Sequence, residues 1–163
     1  MKKIEPIAAA AYFISLLTGI LLQGVYSLWP NAFTAVFAPM DQSAWELSKL
    51  GYWPCLSGFF LLELWQCRSW KKNHLLIPFF SCTGMLIFSM ITQCLLGGVS
   101  VAVILLGWVV ILSISFYLFG SRDPIAGGAT VWLFLLLLWG GAYLLFTFYP
   151  PPAKIFLAPM SKY

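Results

Sequence analysis

Charge is what this sequence has least of. Asp, Glu, Lys and Arg make up 9% of 163 residues, only five are acidic, and there is a single histidine. Soluble domains carry about 25% charged residues, so this chain lacks the means to cover itself with a water-facing surface. The nine basic residues are scattered at the ends of apolar segments and build no basic surface. A formal charge of +4 therefore does not make nucleic acid a partner. One histidine cannot complete a histidine metal site. The four cysteines, Cys55, Cys67, Cys82 and Cys94, fall inside apolar segments without the close pairing that a zinc or redox motif needs. No metal and no other cofactor is implied. Cys55 and Cys94 fall at similar depth, which leaves a disulfide between them geometrically open.

What the chain has in abundance is apolar length. It is 61% hydrophobic, with mean hydropathy +0.91, where a soluble domain is about 45–50% apolar. Crossing a bilayer as a helix takes about 20 apolar residues. Five segments meet that length, at about 6–29, 50–67, 75–96, 99–119 and 128–149. The sequence predicts an all-α, polytopic membrane helix bundle of about five transmembrane helices, one integral membrane domain over 1–163. The first segment starts after Lys2 and Lys3 but outruns a signal-peptide core and has no small-x-small cleavage site, so it reads as a retained membrane helix. With the N-terminus inside, Lys2, Lys3, Arg68, Lys71, Lys72 and Arg122 fall on the cytoplasmic side, against Lys49, Lys154 and Lys162 outside. That asymmetry predicts an N-in, C-out topology with an outer loop at 30–49 and an outer tail at 150–163.

One polar stretch, residues 38–49, interrupts the apolar runs and holds two of the five acids. Pro39 biases Ala38 away from helix, and Ser43 followed three residues later by Glu46 has capping-box spacing, so a helix should begin near Ser43. Asp41, Ser43, Trp45, Glu46 and Lys49 are candidate ligand- or partner-binding residues, joined by Gln23 near the end of the first helix. Glu63 is added as the one acid well inside a predicted span, where a carboxylate must be paired, protonated or near water. The alternative is that Glu63, about one turn from the helix end, snorkels out or pairs with Arg68 or Arg122. His74 reads as a solvated loop residue.

Other features concern packing. Ala8, Ala11, Ser15 and Gly19 recur every three or four residues and form a seam for a neighbouring helix, and Gly107, Ser113 and Ser115 offer similar contacts. Residues 32–40, with Phe33 and Phe37, suit a segment lying on or dipping into the surface. Pro54 predicts a kink. After Pro150, Pro151 and Pro152, an apolar tail with Ile155, Phe156 and Leu157 should fold back on the outer face.

Two motifs resemble those of a known family. The run Phe37-Ala38-Pro39-Met40-Asp41-Gln42-Ser43-Ala44-Trp45-Glu46-Leu47-Ser48-Lys49-Leu50, then Pro54, resembles the Pro-Val-Asn-Glu-Ser-Val-Trp-Glu-His-Leu-Lys pattern of the domain of unknown function 6512 family, small bacterial multi-pass membrane proteins. Phe146-Thr147-Phe148-Tyr149-Pro150-Pro151, with Phe156, Ala158 and Pro159, resembles its closing pattern. Where that family has histidines, this chain has Gln23 and Leu47 or Ser48. Where it has an acid before the final proline, this chain has Ala158. The resemblance implies a membrane fold in the bacterial cytoplasmic (plasma) membrane and no particular activity.

Three functional readings follow. The first is a non-enzymatic module that binds a small ligand or partner protein at its outer face. The second is a membrane-embedded hydrolase acting on a lipid-like substrate through Asp41 and Glu46, although Ser43 would lack a histidine base. The third gives the polar stretch a purely structural role as cap and anchor. A transporter or channel role would need self-association or a membrane partner, since five helices leave little room for a conduction path.

Overall fold

A computed structural model describes residues 6–66, 74–96, 100–120 and 129–158, and among these every regular element is helical. The order is α1 (Pro6–Leu28), α2 (Ala32–Phe37), α3 (Ala44–Gln66), α4 (Leu76–Leu96), α5 (Val101–Phe119) and α6 (Ala129–Phe148), followed by a 3₁₀ turn at Lys154–Phe156. Five long helices thus stand where five apolar segments were expected. Four of them, α1, α4, α5 and the Thr130–Phe148 part of α6, are long and apolar enough to cross a bilayer. With 23 residues, α3 equals α1 in length but holds Glu46, Lys49 and Glu63. It begins at Ala44, where the Ser43 cap was expected to start it, so the polar stretch supplies its first turns ahead of the apolar segment at 50–67. It also continues through Pro54, whose carbonyl accepts the Ser57 hydroxyl at 2.7 Å.

The helix poorest in apolar residues is the one the others surround. α3 lies between α1 and α4, and α5 closes the group by packing on both α4 and α1. In lipid there is no hydrophobic drive to bring helices together, so close approach of backbones has to supply the attraction. The four buried residues of α1 are Ala8, Ala11, Ser15 and Gly19, the small-residue seam read from the spacing. Across that seam stands Gly58 of α3, where a Cβ would come within 2.7 Å of the Ala11 carbonyl. On the opposite side of α3, a Cβ on Gly51 would collide with the backbone carbonyl of Ser81 in α4. On α5, Gly107 faces the ring of Phe88, and the Ser113 hydroxyl lies 3.0 Å from that of Tyr12.

Outside this four-helix group, α6 meets α3 through a layer of aromatic side chains. Trp45 and Tyr52 of α3 pack against Trp139 and Tyr143 of α6, with ring centroids 5.0 to 5.6 Å apart for the pairs Trp45/Trp139, Trp45/Tyr143 and Tyr52/Tyr143. Two hydroxyls pin the layer. Tyr52 donates to the Leu136 carbonyl at 2.7 Å, and Tyr143 lies 2.7 Å from Ser48, whose own proton goes to the Trp45 carbonyl at 2.6 Å. The tail folds back as expected, placing Phe156 against Trp45 and Phe146. On the outer faces of the long helices, Leu21, Leu95, Leu106 and Leu137 are among many exposed large apolar side chains. An apolar exterior of that extent is matched by lipid and not by water. The chain is a multi-pass membrane protein.

Candidate functional site

The candidate residues at 41–49 assemble around the end of α2. This short helix is started by Asn31: its side chain accepts the Thr34 N–H at 2.9 Å, and Thr34 Oγ1 accepts the Asn31 N–H at 3.2 Å. That reciprocal pair is a capping box. At the other end, the chain turns extended at Ala38 and the last carbonyls lose their helical donors. The Ala35 carbonyl would accept from position 39, which is a proline with no N–H. The Val36 carbonyl would accept from Met40, whose N–H points instead to Glu46 Oε2 at 2.9 Å. Helix α3 supplies replacements for both. Lys49 Nζ donates to Ala35 O at 2.8 Å, and Trp53 Nε1 donates to Val36 O at 2.9 Å.

Lys49 is fully buried, with a relative exposure of 0%. A buried ammonium needs a countercharge and acceptors for its protons. Glu46 meets the first need one turn earlier on the same helix face, its Oε2 lying 2.7 Å from Lys49 Nζ. That oxygen therefore accepts from both Lys49 and the Met40 backbone. Both side chains precede the apolar run that begins at Leu50.

The expected cap at Ser43 forms by halves. Ser43 Oγ accepts the Glu46 N–H at 3.2 Å, but the Ser43 N–H goes to Asp41 Oδ1 at 2.8 Å, leaving the Glu46 carboxylate free to hold Met40 and Lys49. Asp41 and Gln42 are exposed, and the Gln42 carbonyl accepts from Gln93 Nε2 of α4 at 2.7 Å. Trp45 is buried in the aromatic layer, and its indole N–H meets no acceptor among the described residues. Asp41, Ser43, Trp45, Glu46 and Lys49 are thus brought together. Gln23, a half-buried residue, makes no bond to them, and its buried amide oxygen has no partner among the described residues.

Glu63 lies at the other end of α3, and there the structure corrects a sequence-based expectation. His74 is not a solvated loop residue: it is 1% exposed, and its Nδ1 lies 3.0 Å from Glu63 Oε1. The turn before α4 folds the imidazole inward because the carboxylate offers a partner there. Arg68 and Arg122, the expected partners of Glu63, lie outside the described residues. Cys55 and Cys94 are free thiols, the first buried and the second exposed.

Several residues of this arrangement were not visible as site residues in the sequence. Asn31 and Thr34 carry a capping box of a less common composition. Trp53 and Ser48 lie four and five residues after Lys49 and Ser43, and only the fold shows which acceptors they reach. Among the described residues no three His, Cys, Asp or Glu side chains converge. Chemically, the arrangement holds a bent backbone segment by charge and hydrogen bonds, with most of its polar atoms turned inward. Comparison with family models, with curated proteins and with solved structures finds no match to this chain.

Proposed function

We propose that the chain crosses the bacterial plasma membrane five times, N-in and C-out, and acts as a non-enzymatic module whose outer face docks a partner protein. The observation that carries this reading is the burial of Lys49. Its ammonium, shared between Glu46 and the end of α2, makes the 38–49 stretch a clamp that fixes α2 on the bundle. What remains exposed around α2 is Trp29 and Phe33 at its start and Asp41 and Gln42 in the turn that follows it. Exposed aromatics next to a few polar groups are the surface composition that partner proteins engage. A small ligand is favoured less, because the charged side chains of the stretch are taken up by one another and by the end of α2.

The same bonds weigh against a lipid-directed hydrolase. Ser43 Oγ serves as a helix cap, and the Glu46 oxygen nearest Lys49 already holds two donors, so neither is placed as a nucleophile with its base. Counting α3 as the fifth crossing is supported by its length and by its place between α1 and α4, where neighbours and not lipid meet its polar groups. Membership of the family that the two motifs resemble belongs to the same proposal.

The test is made on intact cells carrying the Cys94→Ser background. Cysteines at Gln42 and Ala153 should both react with a membrane-impermeant thiol reagent. A photo-crosslinking residue at Phe33 should yield one discrete adduct that Asp41→Lys abolishes. Shielding of both cysteines until the cells are opened would overturn the topology, and a Phe33 adduct to lipid alone would overturn the docking surface.

A further inference from the structure

An apolar furrow of about 360 Å³ runs beside the aromatic layer. Trp45 of α3 and Phe79 of α4 form one wall, and α6 from Leu135 to Phe146 forms the other. Every lining side chain is apolar or aromatic. The furrow exists because α6 meets the bundle through large rings and not through close backbone contact, so the helix stands off and leaves a slot along its length. We infer that this slot holds one acyl chain of an anionic phospholipid, with the phosphate beside Lys154. The inference rests on the membrane-spanning reading and is independent of the partner platform.

Three observations select that occupant. The first is length: from Leu135 to Phe146 the helix rises about 16 Å, close to half of a hydrocarbon core of roughly 30 Å, so the slot matches one leaflet's chain. The second is its setting. Leu138, a lining residue, is 60% exposed on the outer side of α6, and Leu137 and Phe134 beside it are also exposed, so the slot opens onto the surface that faces lipid. The third is charge. The end of the slot at Phe146 and Trp45 is covered by Phe156, and two residues before it Lys154 is exposed, with no acidic partner among the described residues. At the same end Glu46 is neutralised by Lys49, and Asp41 is bonded to the Ser43 N–H. A cation at interface depth above an apolar slot fits a phosphate headgroup joined to an acyl tail.

The test is native mass spectrometry of the full chain, released from detergent with equal amounts of phosphatidylglycerol and phosphatidylcholine bearing identical acyl chains. The protein should retain phosphatidylglycerol preferentially. Lys154→Ala should lower the ratio of the two bound lipids about fivefold, the size expected of one lysine at an anionic surface, while Lys154→Arg keeps it. Ala142→Phe should lower retention of both lipids. Leu138→Trp, which fills the slot from its exposed edge, serves as the second groove variant if Ala142→Phe does not fold. Equal retention of the two lipids by the unmodified chain, or a ratio unmoved by Lys154→Ala, overturns the proposal. Lipid-free dimers joined through Leu138→Cys would assign the slot to a second copy, which also overturns it. Release of the chain from membranes by alkaline carbonate would sink the membrane-spanning reading itself, an outcome distinct from loss of lipid preference in a protein that stays embedded.

Discussion

The two ends of α3 each set a carboxylate against a nitrogen base, and they do so in different ways. At the α2 end, Glu46 and Lys49 lie one turn apart on a single helix, 2.7 Å from each other, with side chains 5% and 0% exposed. Both also bond to backbone outside the helix, at Met40 and Ala35. At the other end, Glu63 meets His74 across the junction to α4 at 3.0 Å, with its side chain 12% exposed, and the contact is an ion pair only when the imidazole is protonated. The first arrangement is a fixed charge pair that organises a piece of chain with little structure of its own. The second joins two helices already held by packing. The difference teaches that a charged residue's structural weight comes from how many otherwise unpaired groups depend on it, and not from the ion pair alone.

That contrast can be broken most directly by removing one base. Lys49→Met leaves a buried carboxylate without a countercharge and the Ala35 carbonyl without a donor, and should cost about 3–5 kcal/mol of stability. Glu63→Gln, which can still hydrogen-bond the imidazole, should cost only about 1 kcal/mol. Thermal unfolding of the purified chain in detergent compares the two, and equal losses would abolish the distinction. Between the two ends, Gly51→Ala should cost about 1–3 kcal/mol by the same measurement, because a methyl there meets backbone that cannot turn aside. Gly141→Ala, with open space around it, should be nearly silent. A sharper probe of the clamp is Trp53→Phe, which deletes the donor to Val36 O and should cost about 1 kcal/mol. Amide exchange should quicken in α2 and stay unchanged in α4. If exchange quickened equally throughout, Trp53 would be a core residue and not part of the clamp. The most local effect is expected from Asn31→Ala, a cap loss of about 1 kcal/mol, confined by exchange to the first turn of α2.

Much of the architecture could be read from spacing because helix packing in lipid repeats a simple rule. Ala8, Ala11, Ser15 and Gly19 announce their seam by recurring on one face, and the return of the tail follows from three prolines and an apolar end. The polar site was harder. Glu46 and Lys49 were legible as neighbours at a three-residue interval, yet a lysine beside a membrane helix reads as solvated. Only the loss of an N–H at Pro39, taken together with the fold of α2, explains why it is buried. The Asn31 and Thr34 cap was written in the sequence in residues other than the Ser/Glu pair that drew notice at 43 and 46. The meeting of Glu63 with His74 had no local signature at all, since it depends on how the chain reverses between α3 and α4. The aromatic layer was half legible: Trp45 with Tyr52, and Trp139 with Tyr143, sit at helical intervals, but nothing in either helix states that the two pairs face each other.

The low apolar content of α3 also bears on how the protein enters its membrane. A segment such as α5, which carries no charged residue, can partition into lipid by itself as it leaves the insertion machinery. As the fifth crossing, α3 could not, since it would carry Glu63 into hydrocarbon before His74, ahead of α4, is there to receive it. It would have to wait at the channel exit until α1 is in place and α4 has emerged, so that three helices leave together and the order of synthesis becomes part of what makes the fold attainable.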